Sequence, residues 1–430
     1  MPGRMEFTLG LNDTPPPRRR DDAPRRLLVM GDFSGRPAAE RRPLADRPTI
    51  KVDIDSLDAA IARLKPHVVL EQGAIDFEQL DDFHPDSLYA HLDVFHALRE
   101  ARAKPPQAAA DLLGSLLGGS AAAPAAAAKP ATGLDALVQR IVAPHVVPDT
   151  QAADRAYVAA VDSAIAEQMR ALLHAPAFQA LEGAWRGVQW LVQNLELDET
   201  LELHVFDATR DELLADVVAS GGQLARTGLY RALADRWRNV PGGVGWSLIA
   251  GLYTFGGSDA DVGLLAALGL IGSQAGGPFV AASDESVVEA PTEGWQQLRA
   301  SEAAAWIGLA APRLLLRLPY GAKTDPVAAW AFEEIPGTPD PAQLLWGPGS
   351  LAVALLAGRG GDERQIDDLP AYTYTVDGER ELMPCAERFL GEEAGNRLAA
   401  AGLIPLASHK HRNAVTVMRL QSLGQTALLA

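Results

Sequence analysis

The chain has a single cysteine, Cys385. One cysteine can form neither an internal disulfide nor a cysteine-based zinc site. It follows Pro384 with no histidine nearby, so a bystander thiol fits it better than a nucleophile. No stretch approaches the ~18–20 uninterrupted apolar residues a membrane helix needs, so no membrane insertion is expected. The start, MPGRMEFTLGLND, lacks a basic stretch followed by an apolar one, and a cytoplasmic location is expected. Tryptophan is missing from the first 184 residues, and all eight lie from Trp185 onward. Basic residues are outnumbered, 38 Lys and Arg against 55 Asp and Glu, for a net charge of −17. The deficit is uneven. Residues 1–50 hold 10 Arg, no Lys and 7 acids, so residues 51–430 carry a net −20. An acidic body of that kind excludes nucleic acid as the main partner, because phosphate binding needs basic surface. The Arg18–Arg20 and Arg25–Arg26 run beside a proline triplet reads as a solvated arm.

What is present is an ordinary globular composition, 48% hydrophobic and 22% charged over 430 residues. That is enough for a sizeable core and for roughly two to four domains. The clearest boundary is the tract over residues 105–132, rich in Ala, Gly, Pro and Ser. Pro124 and Pro130 interrupt any long alanine helix there. It reads as a linker, with a short helix at Leu112–Leu117. This predicts an α/β domain over 1–104, the linker over 105–132, and a second α/β domain with N-terminal helices over 133–430.

Patterning before the linker predicts strands at Phe7–Leu11, Leu27–Met30, Ile50–Ile54 and His67–Leu70. Asp55 is expected to cap a helix carrying Leu57, Ile61 and Leu64. Pro85 opens a helix with Leu88, Leu92, Phe95 and Leu98 on one stripe. After the linker, Leu134, Leu137, Val138 and Ile141 mark a short helix. Two longer helices, Tyr157–Leu172 and Phe178–Val192, form a hairpin across His174-Ala175-Pro176. Strands follow at Leu201–Phe206, Trp246–Tyr253, Pro278–Ala282, Arg313–Leu318, Tyr372–Val376 and Ala414–Leu420. Helices are expected at Val262–Leu270, Trp295–Trp306, Leu351–Ala357 and Ala386–Ala401, and Thr209 with Glu212 fits a capping box. Such alternation predicts mixed sheets covered by helices.

Catalytic patterns are not found. Gly321-Ala322-Lys323-Thr324 resembles the tail of a phosphate loop but lacks the upstream glycine spacing. Ala267–Gly272 is an imperfect dinucleotide fingerprint late in a helical run, better read as a helix-end glycine turn. No Gly-x-Ser-x-Gly occurs. His409 and His411 are flanked by Lys410 and Arg412, which disfavours a cation. His91 and His96 read as surface or core-edge residues, and the acid pairs Asp81-Asp82 and Glu333-Glu334 as solvated edges. No catalytic residue, cofactor or metal is expected, which leans towards assembly or binding.

Ordered residue blocks then carry a likeness. Arg26-Leu-Leu-Val-Met-Gly-Asp-Phe-Ser-Gly35, Arg42-Pro-Leu44, Ile50–Ile54 and Leu80-Asp-Asp-Phe-His-Pro85 resemble the small subunit of the type VI secretion contractile sheath, TssB or VipA. Leu181-Glu-Gly-Ala-Trp185-Arg186-Gly187, Pro241–Gly243, Pro278-Phe279, the Leu309–Gly321 block, Phe332-Glu333-Glu334, Leu345-Trp346-Gly347, Gly402–Leu406 and Gln421-Ser422 resemble the large subunit, TssC or VipB. The Leu309–Gly321 block includes Pro312, Arg313, Arg317, Pro319 and Tyr320. Arg313 and Arg317, four apart in the expected strand, would share a face, either as core-edge ion pairs or as a subunit contact. Arg186 would tie its helix to a neighbour through its planar fork.

The resemblance implies a natural fusion of small and large subunits, acting as a structural component of the sheath and not as an enzyme. It implies other sheath subunits as partners, and the inner tube protein Hcp, baseplate proteins and the ClpV ATPase beyond them. Leu134, Leu137, Val138 and Ile141 correspond by position to the helix that ClpV grips, and Phe7, Leu9 and Leu11 to a strand exchanged between subunits. The family's large subunit continues beyond the block matched by Gln421-Ser422, so this chain alone is expected to stay a monomer or small oligomer. Two alternatives remain at this point: a sheath-like capping accessory that does not polymerise alone, and an α/β enzyme with an unrecognised active site.

Overall fold

The computed structural model describes residues 23–103, 150–360, 363–409 and 412–429. The expected strand at Phe7–Leu11, the linker and the helix bearing Leu134, Leu137, Val138 and Ile141 lie outside the described residues.

The N-terminal segment holds β1 (Arg25–Gly31), β2 (Ile50–Val52), α1 (Leu57–Leu64), β3 (His67–Leu70), β4 (Gly73–Asp76), α2 (Pro85–His91) and α3 (Asp93–Ala103). Beyond the linker come α4 (Thr150–Leu173), α5 (Pro176–Asn194), β5 (Leu201–Asp207), α6 (Arg210–Ala219), β6 (Leu248–Phe255), α7 (Asp259–Ala275), β7 (Phe279–Ser283) and α8 (Glu293–Arg299). The chain continues with β8 (Ile307–Ala311), β9 (Leu314–Leu315), β10 (Trp346–Gly347), α9 (Ser350–Gly358), β11 (Gln365–Ile366), β12 (Tyr372–Val376), β13 (Glu379–Met383), α10 (Glu392–Ala400), β14 (Ile404–Ser408) and β15 (Val415–Val417).

Among the described residues nine strands form one sheet in the order β11-β15-β14-β8-β7-β6-β1-β5-β2. From β14 to β5 neighbouring strands run parallel, while β2 pairs antiparallel at one edge and β15 antiparallel near the other. The expected mixed sheet covered by helices is therefore present. The two segments that flank the linker do not, however, form separate sheets. β1 lies between β5 and β6, with Leu28 opposite His204 on one side and Ile249 on the other. The tract over 105–132 lies outside the described residues, and strands from both sides of it enter the main sheet.

The reason is readable in β1 itself. Arg25–Gly31 carries a continuous apolar run instead of an alternation, as a strand covered on both faces must. Leu27 and Val29 pack into a core with Trp185, Val188 and Leu191 of α5 and with α9, which is buried except at Ala357. Leu28 and Met30 pack on the opposite face with Phe206, Leu264, Leu265 and Trp295. A three-layer arrangement results, with α5 and α9 on one face and α7 and α8 on the other.

Several expectations are corrected. Ile50–Ile54 stops at Val52, and Ile54 is exposed. Ser56, not Asp55, precedes α1, and its amide and hydroxyl donate to Asp53 Oδ1 at 2.9 and 2.7 Å. The Pro85 helix breaks at Leu92, whose backbone is extended, although Leu88, Leu92, Phe95 and Leu98 are all buried as patterned. Trp295–Trp306 is α8 followed by a separate 3-10 turn. Only Leu314–Leu315 of Arg313–Leu318 is strand, and the sheet strand is the preceding Ile307–Ala311. Of Ala386–Ala401 only Glu392–Ala400 is helical, and Ile404–Ser408 forms a strand that the patterning did not isolate. The Thr209–Glu212 capping box is present, with Glu212 N donating to Thr209 Oγ1 at 3.2 Å.

Candidate functional site: a buried ion network and the contact between segments

Pro176 at the first helical position starts α5, where its missing N–H is no loss. Heptad-like spacing then turns Phe178, Leu181, Trp185, Val188 and Val192 into the core. Gly187 lets α9 approach: a Cβ there would lie 2.8 Å from Leu351 Cδ1. Trp185 is fully buried, and its indole N–H donates to Phe33 O at 3.0 Å, so α5 holds the turn that follows β1. The Phe33 and Trp185 ring centroids are 5.0 Å apart.

The same helix supplies Glu182, completely buried, to a network around Arg317. Arg317 Nε and Nη2 donate to Glu182 at 2.7 and 3.2 Å, and Nη1 and Nη2 donate to Glu334 at 2.8 and 3.2 Å. Its guanidinium also lies 4.1 Å over the Tyr320 ring. The Tyr320 N–H donates to Glu334 at 2.8 Å, and its hydroxyl donates to Glu182 at 3.3 Å. Arg186 Nη2 donates to that hydroxyl at 3.1 Å. Two arginines thus face two carboxylates around one neutral phenol. Burial alone would raise the Glu334 carboxyl, but Arg317 and His174 outweigh it and hold it down at about 2. Burial lowers the Arg317 guanidinium, and Glu182 and Glu334 more than reverse this and push it up. Burial pushes the Tyr320 phenol up, and the Glu182 carboxylate adds to it. Two buried carboxylates facing two guanidiniums suit structural cross-linking of elements.

Second contacts run from the N-terminal segment to the loop before β10. The Asp86 carboxylate, at the first turn of α2, accepts from Ala328 N at 3.0 Å and Ala329 N at 3.0 Å. Arg102 of α3 donates to Asp162 of α4 at 2.6 Å and to Ala329 O at 3.2 Å. The Tyr89 and Trp330 rings pack at a tilt of 45° with centroids 4.5 Å apart.

Two family models match the chain. One is VipB, described as EvpB/VC_A0108, tail sheath N-terminal domain, over residues 155–293 and 289–424. The chain belongs to the VipB tail sheath family. The other is the type VI secretion model of VipA, VC_A0107 or Hcp2, over residues 17–122. Among curated proteins the chain is similar to the type VI secretion system sheath protein TssC1 of Pseudomonas aeruginosa, 31% identical over 304 residues, covering 63% of this chain and 61% of that protein. It is also similar to the sheath protein TssB1 of the same organism, 34% identical over 85 residues, covering 17% of this chain and 49% of that protein. The chain therefore spans less than two thirds of the length of either relative. Both kinds of sheath sequence are present in one chain, as the residue blocks implied. The VipA match runs to residue 122, past the boundary at 104 read from composition.

Within this VipB-family chain the sequence-read residues fall into two groups. Arg186, Arg317, Tyr320 and Glu334 converge in the buried network, with Trp185 and Gly187 on the same helix. Pro312 and Pro319 are buried, and the Ala311–Pro312 peptide is cis. Arg313 is separate: it is exposed and forks onto Glu387, with Nε 2.8 Å from Oε2. The shared face of Arg313 and Arg317 fails because the segment is not a strand beyond Leu315. Glu333 and Glu334 are no solvated pair: Glu334 is buried, and exposed Glu333 caps a turn by accepting from Ala322 N at 3.1 Å. Trp346 is buried and its indole donates to Pro341 O at 2.7 Å. Sequence reasoning missed Glu182 and His174 as network members. Glu182 sits between Leu181 and Gly183 on an apolar stripe, and an acid on a buried stripe is the available signal.

The rejected motifs resolve structurally. Gly269 and Gly272 lie inside α7 and admit close packing, while the helix-end turn belongs to Gly276 at φ 108°. Gly321–Thr324 is a tight turn closed by Gly321 N to Asp325 O at 2.9 Å. Burial raises the Cys385 thiol, as suits a bystander. Among the described residues no group of three or more His, Cys, Asp or Glu could hold a metal, and no helix is long and apolar enough to cross a membrane.

Proposed function

We propose that the chain is a structural component of the type VI secretion contractile sheath. Its small-subunit-like and large-subunit-like segments together serve as one building block for assembly and contraction-driven secretion. The observation that carries this is β1, which is hydrogen-bonded to β5 on one side and β6 on the other. A strand so inserted makes the two segments one folding unit, and joining them in one chain removes the concentration dependence of their pairing. Sheath contraction in this reading is a switch between two packings of such units. Its partners are other sheath subunits, with the inner tube, the baseplate and the ClpV ATPase as further ones, in the cytoplasm. The chain works without enzymatic turnover, cofactor or metal: purified protein should not hydrolyse ATP or GTP, and turnover abolished by Lys323→Ala would contradict this.

The deciding experiment is negative-stain electron microscopy of the chain co-expressed with separately encoded sheath subunits. Tubes containing this chain are expected, and their loss is expected on deletion of residues 1–12, which carry Phe7, Leu9 and Leu11. Tubes that exclude the chain, or a chain found only at tube ends, would favour the capping accessory. For the ATPase, Leu137→Asp with Ile141→Asp should weaken binding while leaving the melting temperature unchanged.

A further inference from the structure

The sheet order places β5, β1 and β6 side by side, with β1 in the middle and the chain moving first to one side of it and then to the other. In open parallel sheets that reversal leaves the loop after the first strand free to face a ligand, and its backbone amides commonly meet an anion. Here that loop is Asp32–Gly35. Its amides are already engaged. Phe33 N and Ser34 N donate to Asp207 Oδ1 at 2.8 and 3.0 Å, and Ser34 Oγ donates to Asp207 Oδ2 at 2.8 Å. Arg41 Nη1 adds a charged donor to the same Oδ1 at 3.3 Å. Four donors therefore converge on one carboxylate whose side chain is 11% exposed. Arg41 is held in place by Asp32 and by Arg36 O, each 2.6 Å from it.

We propose that the Asp32–Gly35 turn, with Arg41, is an oxyanion-binding cradle that the chain fills with its own Asp207 carboxylate. Two backbone amides, a hydroxyl and a guanidinium are the donor set that binds a small carboxylate or phosphate group. The cradle comes from the N-terminal segment and the anion from the end of β5, so anion recognition clips one segment to the other. The sequence patterning offered no sign of it, because Asp207 lies 166 to 174 residues from its donors. The proposal stands apart from the sheath reading and survives its failure.

The test is removal of the internal anion followed by its replacement from solution. The full-length Asp207→Ala protein should melt below wild type in sodium chloride. Sodium formate at equal ionic strength should raise its melting temperature by roughly 2 °C or more, saturably, as a ligand of the native state does. Wild type should show no such formate-specific rise, because the cradle is full. Asp207→Asn should also melt below wild type but gain nothing from formate, because the amide occupies the space. If Asp207→Ala is insoluble, its soluble yield should depend on formate in the growth and lysis buffers. An Asp207→Ala protein with equal stability or yield in formate and chloride would overturn the proposal, as would an Asp207→Asn protein as stable as wild type.

Discussion

Arg317→Met is the sharpest perturbation of the buried network. The substitution keeps a long apolar stem but removes the charge shared by Glu182 and Glu334, which are 0% and 2% exposed. Removing one member of a buried ion pair costs roughly 3–5 kcal/mol, because the remaining charge is left unpaired in a poorly solvated site. Here Glu334 loses its arginine outright while Glu182 keeps Arg186 at 3.4 Å, so a loss within that range is expected at pH 7. The pH dependence is more diagnostic than the size. In wild type the Glu334 carboxyl falls from its ordinary 4.5 to about 2. A depressed carboxyl stabilises the fold above its unfolded value and loses that contribution as pH falls from 4.5 towards 2. The shift is worth roughly 3 kcal/mol. In the variant the sign reverses for Glu334: a buried carboxyl without its arginine titrates above its ordinary value, so acidification relieves the strain. The stability gap between wild type and Arg317→Met should therefore narrow between pH 7 and pH 4. Urea unfolding followed by tryptophan fluorescence at both pH values measures it. A gap of equal size at the two pH values, or one under about 1 kcal/mol at pH 7, would refute the network as the source of stabilisation.

Two milder changes bound the reasoning. Gly187→Val adds bulk where even a Cβ would stand 2.8 Å from Leu351 Cδ1, and overpacking of this sort should cost roughly 1–3 kcal/mol in thermal or urea unfolding. Arg313→Ala breaks an exposed pair with Glu387 and should cost no more than about 1 kcal/mol, a loss that salt should shrink.

Local structure was legible wherever one short stretch decides it. The apolar run Leu27–Met30 marked β1, the Thr209–Glu212 box began α6, and His174-Ala175-Pro176 marked the turn between α4 and α5. The ordered blocks that carry the family likeness were legible for the same reason, since each is a local string. Boundaries set by neighbours were not. The stripe over Leu88–Leu98 is periodic, yet the chain turns extended at Leu92. The apolar run after Ile307 contains two strands that belong to different sheets, and the pattern alone marked only the second, shorter one.

The larger decisions belonged to tertiary structure. Composition separated the chain at residues 105–132, and hydrogen bonding in the sheet joined what composition had separated, because a strand's partners are chosen by backbone geometry and face burial, not by nearness in sequence. Arginine and glutamate identities were plain from the start. Which arginine is buried and which is solvated was not, because Arg313 and Arg317 differ only in what surrounds them: one exposed Glu387 for the first, two buried carboxylates and a tyrosine ring for the second.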